Sequence, residues 1–331
     1  MSDKLGLELL RFCRRRLARV GGSIPAREAR WAQVLHLPFH VRSPLQWWNR
    51  QLLVFQMIHD LIPVRFPAFF KDQGGRKFLL RTLSTHNPNR WFICNSECTR
   101  NDLCNFAPHI DPEQVLAIPL AAGPEFRPCA DPAKVQSVLK KHNVPAAPFF
   151  LSVCTLEPRK NLSHTIRCFG RLLQEQKWRD LNLVLVGGKG WLYDDIFKEV
   201  SRQPGLSDRI IFTDYVHDED LSAFYSRALG FIYMSLYEGF GLPVLEALQC
   251  GTPVIASNTS SLPEVTGDAA LLLDPQNADG LCQAMSSLYQ NAALRTELGN
   301  KGLERAKLFS WKRCARETIQ GYQKALARRL G

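Results

Sequence analysis

The chain has 331 residues, of which 45% are apolar, 22% charged and 10% aromatic, and its formal net charge is +11. This composition is typical of a soluble globular protein and excludes a disordered or fibrous chain, and the length predicts about two domains. No apolar stretch of the sequence approaches the roughly 18 residues that a membrane-spanning helix requires.

The excess positive charge lies in the two tails of the chain. Residues 1–30 carry +5 and residues 301–331 carry +7, whereas the residues between them sum to −1. A nucleic-acid groove would place basic residues in the body of the fold. We therefore expect no nucleic-acid partner.

The cysteines indicate neither a disulfide scaffold nor a metal site. Ten cysteines are sparse for a chain of this length, and the apolar run near the start is too short and interrupted for a secretory leader, so we expect free thiols in a reducing cytoplasm. The pattern closest to a metal site comprises Cys94, Cys98, Cys104, His86 and His109. Its spacings match no common zinc module, so we expect no metal.

The first half of the chain begins with a basic helix predicted over Lys4–Val20 and ended by Gly21 and Gly22. Four short apolar strands are predicted after it: Ala32–Leu37, Leu52–Ile58, Trp91–Asn95 and Val115–Ile118. Prolines then become frequent, and Asn143–Pro148 has the composition of a linker. We place the domains at 1–143 and 144–331.

In the second half, apolar runs alternate with helical patterns. The predicted strands are Phe149–Thr155, Leu183–Val186, Arg209–Val216, Gly230–Ser235, Pro253–Ser257 and Ala270–Leu273. The predicted helices are Leu162–Lys177, Leu192–Gln203, Asp218–Ala228, Leu242–Gln249, Ala278–Asn291, Ala293–Leu308 and Trp311–Arg329. Continuously apolar strands that alternate with helices predict a parallel, doubly wound sheet.

The segment SLYEGFGLPVLEALQCGT, residues 235–252, is the most informative about function. Gly239 and Gly241 flank Phe240 at a strand-to-helix turn, where close backbone approach and free N–H groups favour an anion such as phosphate. Glu238 and Glu246 would bracket that anion, within reach of hydroxyl groups on either side. Spacing alone leaves open a second interpretation, a capped helix with Glu246 exposed.

A second segment, SVCTLEPRKNL at residues 152–162, also ends a predicted strand. Arg159 and Lys160 are adjacent cations immediately before a helix, which suits a diphosphate, although alone they would be interpreted as solvated loop charges. Both segments follow carboxyl ends of strands in one sheet, where doubly wound folds bind ligands. This shared edge favours a common site.

These motifs resemble the family 4 retaining glycosyltransferases, whose hallmark is similar to EGFGLPVLEAL at residues 238–248. Four further segments fall in the family's order and spacing: TLEPRKN at 155–161, LVLVGGKGW at 183–191, FTDYVHDEDLSAFYSRA at 212–228 and SNTSSLPEVTGDAALLLDP at 257–275. MIHDLIPV at 57–64 and ICNSECTRNDL at 93–103 resemble two earlier segments. The resemblance implies an α/β GT-B fold, in which two Rossmann-like, doubly wound domains face a cleft and the last helix crosses back onto the first domain. In this sequence we expect the first domain to be shorter than the family's by about one strand–helix unit.

The resemblance also implies roles for individual residues. Arg159 and Lys160 would neutralise the diphosphate of a nucleotide-sugar, and Glu238 would hold hydroxyls of the donor sugar. His59, with Asp60 behind it, would reach from the first domain to the reacting carbon. No metal or other cofactor is implied.

A wider set of donor-binding positions is implied in the same way: Gly187, Tyr215, Val216, Gly239, Phe240, Gly241, Leu242 and Glu246. Within it, Glu246 would bind the ribose hydroxyls, and Tyr215 and Val216 would lie near the base. The expected reaction moves a hexose of mannose or glucose type, with retention, to a glycan or lipid-linked saccharide in surface polysaccharide biosynthesis.

Two patterns could suggest other chemistry. Asp218-Glu219-Asp220 matches the metal-binding DxD of the other large glycosyltransferase fold, but it precedes a predicted helix, so we interpret Asp218 as the N-cap. The glycines at 187–190 lack the full dinucleotide fingerprint, which disfavours an NAD-dependent oxidoreductase. We expect His36 and His40 to be packing or loop residues.

The first domain departs from the family, because it lacks the usual opening strand and glycine-rich loop. An alternative function is therefore a donor-binding subunit or scaffold that needs a partner protein. The basic helix over Lys4–Val20 either lies on an anionic membrane or packs on its own domain. If both basic tails share one face, the protein would attach peripherally to the inner face of the plasma membrane.

Overall fold

The structure is a computed structural model that describes residues 32–39, 52–84, 87–203 and 205–330. The predicted helix over Lys4–Val20, the pair Gly21 and Gly22, and the histidines His40 and His86 lie outside the described residues. In the described part of the chain, no helix combines the length and apolarity needed to cross a bilayer.

The first domain contains a parallel sheet whose strands follow chain order. They are β1 (Val34–Leu37), β2 (Leu53–Ile58), β3 (Arg90–Cys94) and β4 (Val115–Ala117). Three helices lie in the connections after β2 and β3: α1 (Ile62–Arg65), α2 (Gly74–Leu83) and α3 (Glu97–Phe106). Side chains alternate across the sheet, so Phe92 and Cys94 pack beneath these helices while Trp91 and Ile93 face the other side.

The second domain begins with helix α4 and contains a six-stranded parallel sheet. Its helices are α4 (Pro132–Lys141), α5 (Leu162–Gln176), α6 (Asp194–Ser201), α7 (Asp218–Arg227), α8 (Leu242–Gln249), α9 (Leu262–Thr266), α10 (Ala278–Gln290) and α11 (Ala292–Ala306). Its strands are β5 (Phe149–Val153), β6 (Asn182–Val186), β7 (Ile210–Phe212), β8 (Gly230–Tyr233), β9 (Val254–Ser257) and β10 (Ala270–Leu273). The strand order is β10-β9-β8-β5-β6-β7. The order reverses between β5 and β8, which is where doubly wound sheets open a ligand crevice.

The last helix, α12 (Trp311–Leu330), returns to the first domain. Ala325 is buried against the face of the first sheet that α1–α3 leave open, and the Tyr322 ring meets Phe55 edge-on at 4.7 Å. Two ion pairs, Lys324–Glu113 at 2.6 Å and Arg328–Asp111 at 2.5 Å, flank this contact. The helix therefore completes the core of a domain that the chain had left about 190 residues earlier.

The predicted domain boundary at residue 143 lies too late in the chain. Val135, Val138 and Leu139 of α4 are buried in the core of the second domain, although the sequence analysis placed them in the first. Before α12 returns, Ile118 is the last residue buried with the first sheet and Ala122 is buried in the core of the second domain, so the chain first crosses between domains at residues 119–121. The linker signal at Asn143–Pro148 marks the loop between α4 and β5 instead.

Candidate functional site

The predicted site residues of the second domain lie at the carboxyl edge of its sheet. Arg159 and Lys160 follow β5, and Glu238 follows β8, the two strands between which the strand order reverses. The backbone N–H of Leu236 donates to the carbonyl of Arg159 at 2.9 Å, which ties the two loops together. The structure thus brings Glu238 beside two adjacent cations, the nearer of which lies 78 residues earlier in the sequence.

Glu238 is the centre of a buried salt-bridge cluster. Its Oε1 lies 2.6 Å from Lys160 Nζ, and its Oε2 lies 2.7 Å from Arg159 Nη1. Oε1 also accepts hydrogen bonds from the hydroxyls of Ser235 at 2.7 Å and Tyr233 at 2.9 Å. The carboxylate is therefore held in one orientation by groups on two loops and one strand.

The charges of this cluster determine its protonation. Burial would raise the pKa of Glu238, but the charges of Lys160 and Arg159 outweigh it and hold that pKa at about 2. Burial likewise opposes the charge of Arg159, yet Glu238 and Glu157 raise its pKa above the usual value. Glu238 is therefore ionised at neutral pH and can accept hydrogen bonds from hydroxyl groups.

The turn after Glu238 has room only for glycine at two positions. A Cβ on Gly239 would lie 2.1 Å from the carbonyl oxygen of His59, and Gly241 has a φ of +109°. Gly241 is the N-cap of α8, which has no side-chain cap. Pro243 has no N–H, and those of Val244 and Leu245 donate to the carbonyl of Gly241. The first turn of α8 therefore offers the N–H of Leu242 and the positive end of the helix dipole at the edge, while Phe240 packs in the core.

Glu246, one turn into α8, is half-buried rather than exposed. Its Oε2 accepts a hydrogen bond from the Tyr225 hydroxyl at 2.9 Å. Burial raises the pKa of Glu246 to about 7, with the nearby carboxylates of Asp218 and Glu125 adding to the shift. This carboxyl therefore titrates in the physiological range.

The remaining predicted donor-binding residues follow β6 and β7. Gly187 has a φ of +141°, and a Cβ there would lie 2.0 Å from the carbonyl oxygen of Cys154. Its N–H donates to the carbonyl of Asp214 at 2.9 Å. The Tyr215 side chain is 65% exposed at the rim, whereas Val216 is buried in the core.

The prediction that Asp218 is a helix N-cap is wrong. α7 begins at Asp218, and His217 occupies the cap position without a side-chain hydrogen bond. Asp220 is bound instead to Lys141 at 2.7 Å and to His142 at 3.0 Å. Asp220 therefore joins α7 to the end of α4. In the described part of the chain, no group of three metal-ligating side chains comes together.

The first domain contacts the site through its backbone and through the start of α3. The carbonyl of Gly239 accepts hydrogen bonds from Ser96 Oγ at 2.6 Å and Thr99 Oγ1 at 3.2 Å. His59 is half-buried beside this turn with its ring edge-on to Phe39, while the Asp60 carboxylate accepts the N–H of Ile62. His59 thus lies at the cleft, and Asp60 orients the start of α1.

Two further inter-domain contacts were missed by the sequence analysis. The Glu264 carboxylate on α9 accepts the N–H groups of Glu97 and Cys98 at 2.8 and 2.6 Å, so it caps α3 from the opposite domain. Trp191 stacks on Phe70 at 5.6 Å and donates its ring N–H to a first-domain carbonyl. Non-local contacts of this kind have no signature in the sequence.

Comparison with known proteins identifies the family. The family model described as "Glycosyl transferases group 1" matches residues 136–305, just over half of the chain. The chain belongs to this family. The match covers the second domain from within α4 to α11 and confirms the resemblance seen in the sequence.

Two relatives are mannosyltransferases from Escherichia coli. O-antigen chain mannosyltransferase B is 37% identical over 211 residues, which are 64% of this chain and 55% of that protein. Serotype-specific mannosyltransferase WbdA is 30% identical over 271 residues, 81% of this chain and 33% of that protein. The chain therefore spans between a third and just over half of the length of these curated relatives.

A solved structure confirms the fold. Anabaena Alr3699/HepE, determined in complex with UDP-glucose, superposes with a TM-score of 0.69 at 16% identity over 83% of this chain and 73% of that one. The two parallel sheets and their facing edges are those of a GT-B glycosyltransferase.

Proposed function

We propose that the protein transfers a hexose, of mannose type, from a nucleotide-diphosphate sugar to a hydroxyl of a glycan or lipid-linked saccharide in surface polysaccharide biosynthesis. The observation that carries this proposal is the buried cluster of Glu238, Arg159 and Lys160 at the strand-order reversal, in a chain that is similar to an O-antigen mannosyltransferase. The UDP-glucose complex of the Anabaena protein supports a nucleotide-sugar as the donor class.

The cluster suits the separation of charge during transfer. As the bond between the anomeric carbon and the diphosphate breaks, negative charge grows on the leaving group, and fixed cations and helix N–H groups stabilise it most when they are already in place. Arg159, Lys160 and the start of α8 are such groups. With them in place, we propose that no divalent metal is needed, so that EDTA leaves transfer unchanged.

Glu238 is placed to hold the donor sugar rather than to attack it. Its Oε1 already accepts from three side chains, whereas Oε2 faces Arg159, so we assign a sugar hydroxyl to Oε2. Retention would follow if the acceptor oxygen bonds the anomeric carbon on the face from which the diphosphate leaves, and the acceptor's proton passes to the departing phosphate oxygen.

Ligand binding tests the donor class directly. A ligand that binds only the native state raises the apparent stability, so we expect GDP-mannose to raise the melting temperature, with UDP-glucose and ADP-glucose as comparisons. Release of nucleoside diphosphate, and its increase with a glycan acceptor, then measures transfer. Binding without turnover would indicate a donor-binding subunit that needs a partner; binding of none of the three would contradict the proposal.

We also propose that the protein attaches to an anionic membrane surface. On α12, Trp311 and Ile319 are 52% and 48% exposed, with Lys312 and Arg316 exposed beside them. Aromatic and basic side chains together favour an anionic interface. Co-sedimentation with phosphatidylglycerol vesicles should fall with added salt and be absent with phosphatidylcholine; equal recovery with both lipids would contradict the attachment.

A further inference from the structure

Tyr237 belongs to the second domain, but its side chain is enclosed by the first. Its hydroxyl donates to the Asp102 carboxylate on α3 and accepts from Arg65 Nη1 at 2.9 Å. The Phe66 ring lies 5.0 Å from its ring, and Cys98 Sγ lies 3.3 Å from its hydroxyl. The side chain is 8% exposed, so it is buried by an inter-domain contact.

The backbone of Tyr237 is joined to the proposed site. Its carbonyl accepts a hydrogen bond from Arg159 Nη1 at 2.8 Å, and the same nitrogen lies 2.7 Å from Glu238, the next residue in the chain. Tyr237 therefore contacts the first domain through its side chain, and its main-chain carbonyl holds Arg159, the cation proposed to contact the diphosphate.

We propose that Tyr237 is a positioning residue that couples closure of the two domains to the placement of Glu238 and Arg159. The inference rests on the proposed function for its catalytic consequence. Separation of the domains would remove Asp102 and Arg65 from the Tyr237 hydroxyl and leave the loop after β8 without its anchor. The cluster would then be held in its reactive arrangement only while the cleft is closed.

The variant Tyr237→Phe keeps the ring and its packing but removes the hydroxyl. Hydrogen bonds to charged groups are stronger than those between neutral groups, so we expect turnover of GDP-mannose to fall by about tenfold to a hundredfold. The affinity for GDP alone should fall less than turnover does, because GDP lacks the sugar that Glu238 is proposed to hold, and Lys160 and the start of α8 would still contact its diphosphate. Asp102→Asn should act similarly, and the double variant should be no worse than the more severe single one, because both remove one contact.

Tyr322→Phe is the matched control. The Tyr322 hydroxyl bonds His36 of the first domain, so this change also removes a hydroxyl contact of the first domain, but it lies far from the cluster in the fold. We expect its turnover and its GDP affinity to match those of the wild type.

Hydrogen exchange tests the coupling without any donor. Peptides spanning residues 235–242 should exchange about tenfold faster in Tyr237→Phe and Asp102→Asn than in the wild type or in Tyr322→Phe. Unchanged exchange in both variants, or a loss of GDP affinity as large as the loss of turnover, would overturn the proposal. Failure of the wild type to bind any nucleotide-sugar would contradict the proposed function alone, since the exchange result does not depend on it.

Discussion

At the scale of single residues, the site depends on a carboxylate and two cations that are buried together. Burial of an isolated charge destabilises a protein, and removal of one partner of a buried ion pair leaves the other charge uncompensated. Here Glu238 accepts from both cations and from two hydroxyls, and Arg159 is shared further with Glu157 at 2.5 Å. A substitution in this cluster is therefore expected to change both the stability of the protein and its proposed activity.

We predict that Glu238→Gln and Lys160→Ala each lower transfer at least about a hundredfold, because both disrupt the groups that stabilise the leaving diphosphate. Each should also cost about 3–5 kcal/mol of stability, since a buried charge loses its partner. Steady-state kinetics with thermal unfolding separates the two effects.

Glu199→Gln is the control for that prediction. Glu199 is equally buried and pairs with Arg167 at 2.8 Å, but it lies on α6, away from the cluster. This variant should lose some stability and keep its transfer rate. Full transfer by Glu238→Gln would contradict the site.

The raised pKa of Glu246 predicts a pH dependence for nucleotide binding. A ribose hydroxyl donates to the ionised carboxylate, so the affinity for GDP should increase about tenfold between pH 6 and 8 as a group with a pKa of about 7 ionises. Glu246→Gln should bind more weakly and without this dependence. A wild-type affinity that is flat over this range would contradict the assignment of Glu246 to the ribose.

In the protein without ligand, ionisation of the Glu246 carboxyl lowers the free energy of unfolding, whereas it raises the affinity for GDP. Because its folded-state pKa is raised, its contribution to stability is complete below the ordinary pKa of glutamate and is lost as the pH rises through about 7. Thermal unfolding of wild type and Glu246→Gln without ligand should show this difference.

At the scale of elements, the strands of the second domain were predictable because they are covered on both faces. β10 matches its predicted bounds, and β5, β6, β8 and β9 differ from theirs by one or two residues. β7 is shorter than the predicted Arg209–Val216, because Asp214 adopts a φ of +56° that ends the extended backbone. Apolar periodicity detects burial but not this local turn.

Contacts between elements explain what the sequence could not predict. α7 begins one residue earlier than the prediction that Asp218 is its cap requires, and Asp220 binds Lys141 and His142 at the end of α4. The association of α4 with the second domain likewise depends on packing against α7. The motifs were enough to predict which edge of the sheet carries the site. That Glu238 forms salt bridges with Arg159 and Lys160 could be seen only in the folded structure.

The docking of α12 can be tested with two substitutions on one helix. Ala325 is buried against the first sheet, so Ala325→Asp would bury an unpaired charge and should destabilise the first domain by several kcal/mol, of the order of 3–5 kcal/mol. Ala327→Asp, on the exposed side of the same helix, should have little effect. Equal melting temperatures for both variants would contradict the packing of α12 on this sheet.

At the scale of the whole molecule, the two domains are held together at the start of α3. Glu264 accepts two N–H groups of that helix from across the cleft, as a capping side chain does within one domain. This contact satisfies backbone donors that water would otherwise bind when the cleft opens. It therefore favours the closed arrangement.

We predict that Glu264→Ala shifts the protein toward an open arrangement by about tenfold in population, since the loss of a cap costs about 1–2 kcal/mol. Small-angle scattering should report a larger radius of gyration than for the wild type, while GDP affinity stays unchanged. Glu297→Ala, which removes an exposed carboxylate of α11, is the control. An identical scattering profile for Glu264→Ala and wild type would contradict this role.

The return of α12 to the first domain also determines how the domains can move. The chain passes between them once at residues 119–121 and again at residues 310–313, between Phe309 in the second core and Cys314 in the first, so two covalent connections join them in parallel. Hinge motion is absorbed by a few residues in such connections, and two connections in parallel restrict twisting and sliding more than a single linker would. This restriction favours the return of the start of α3 and the turn at Gly239 to the same alignment each time the cleft closes.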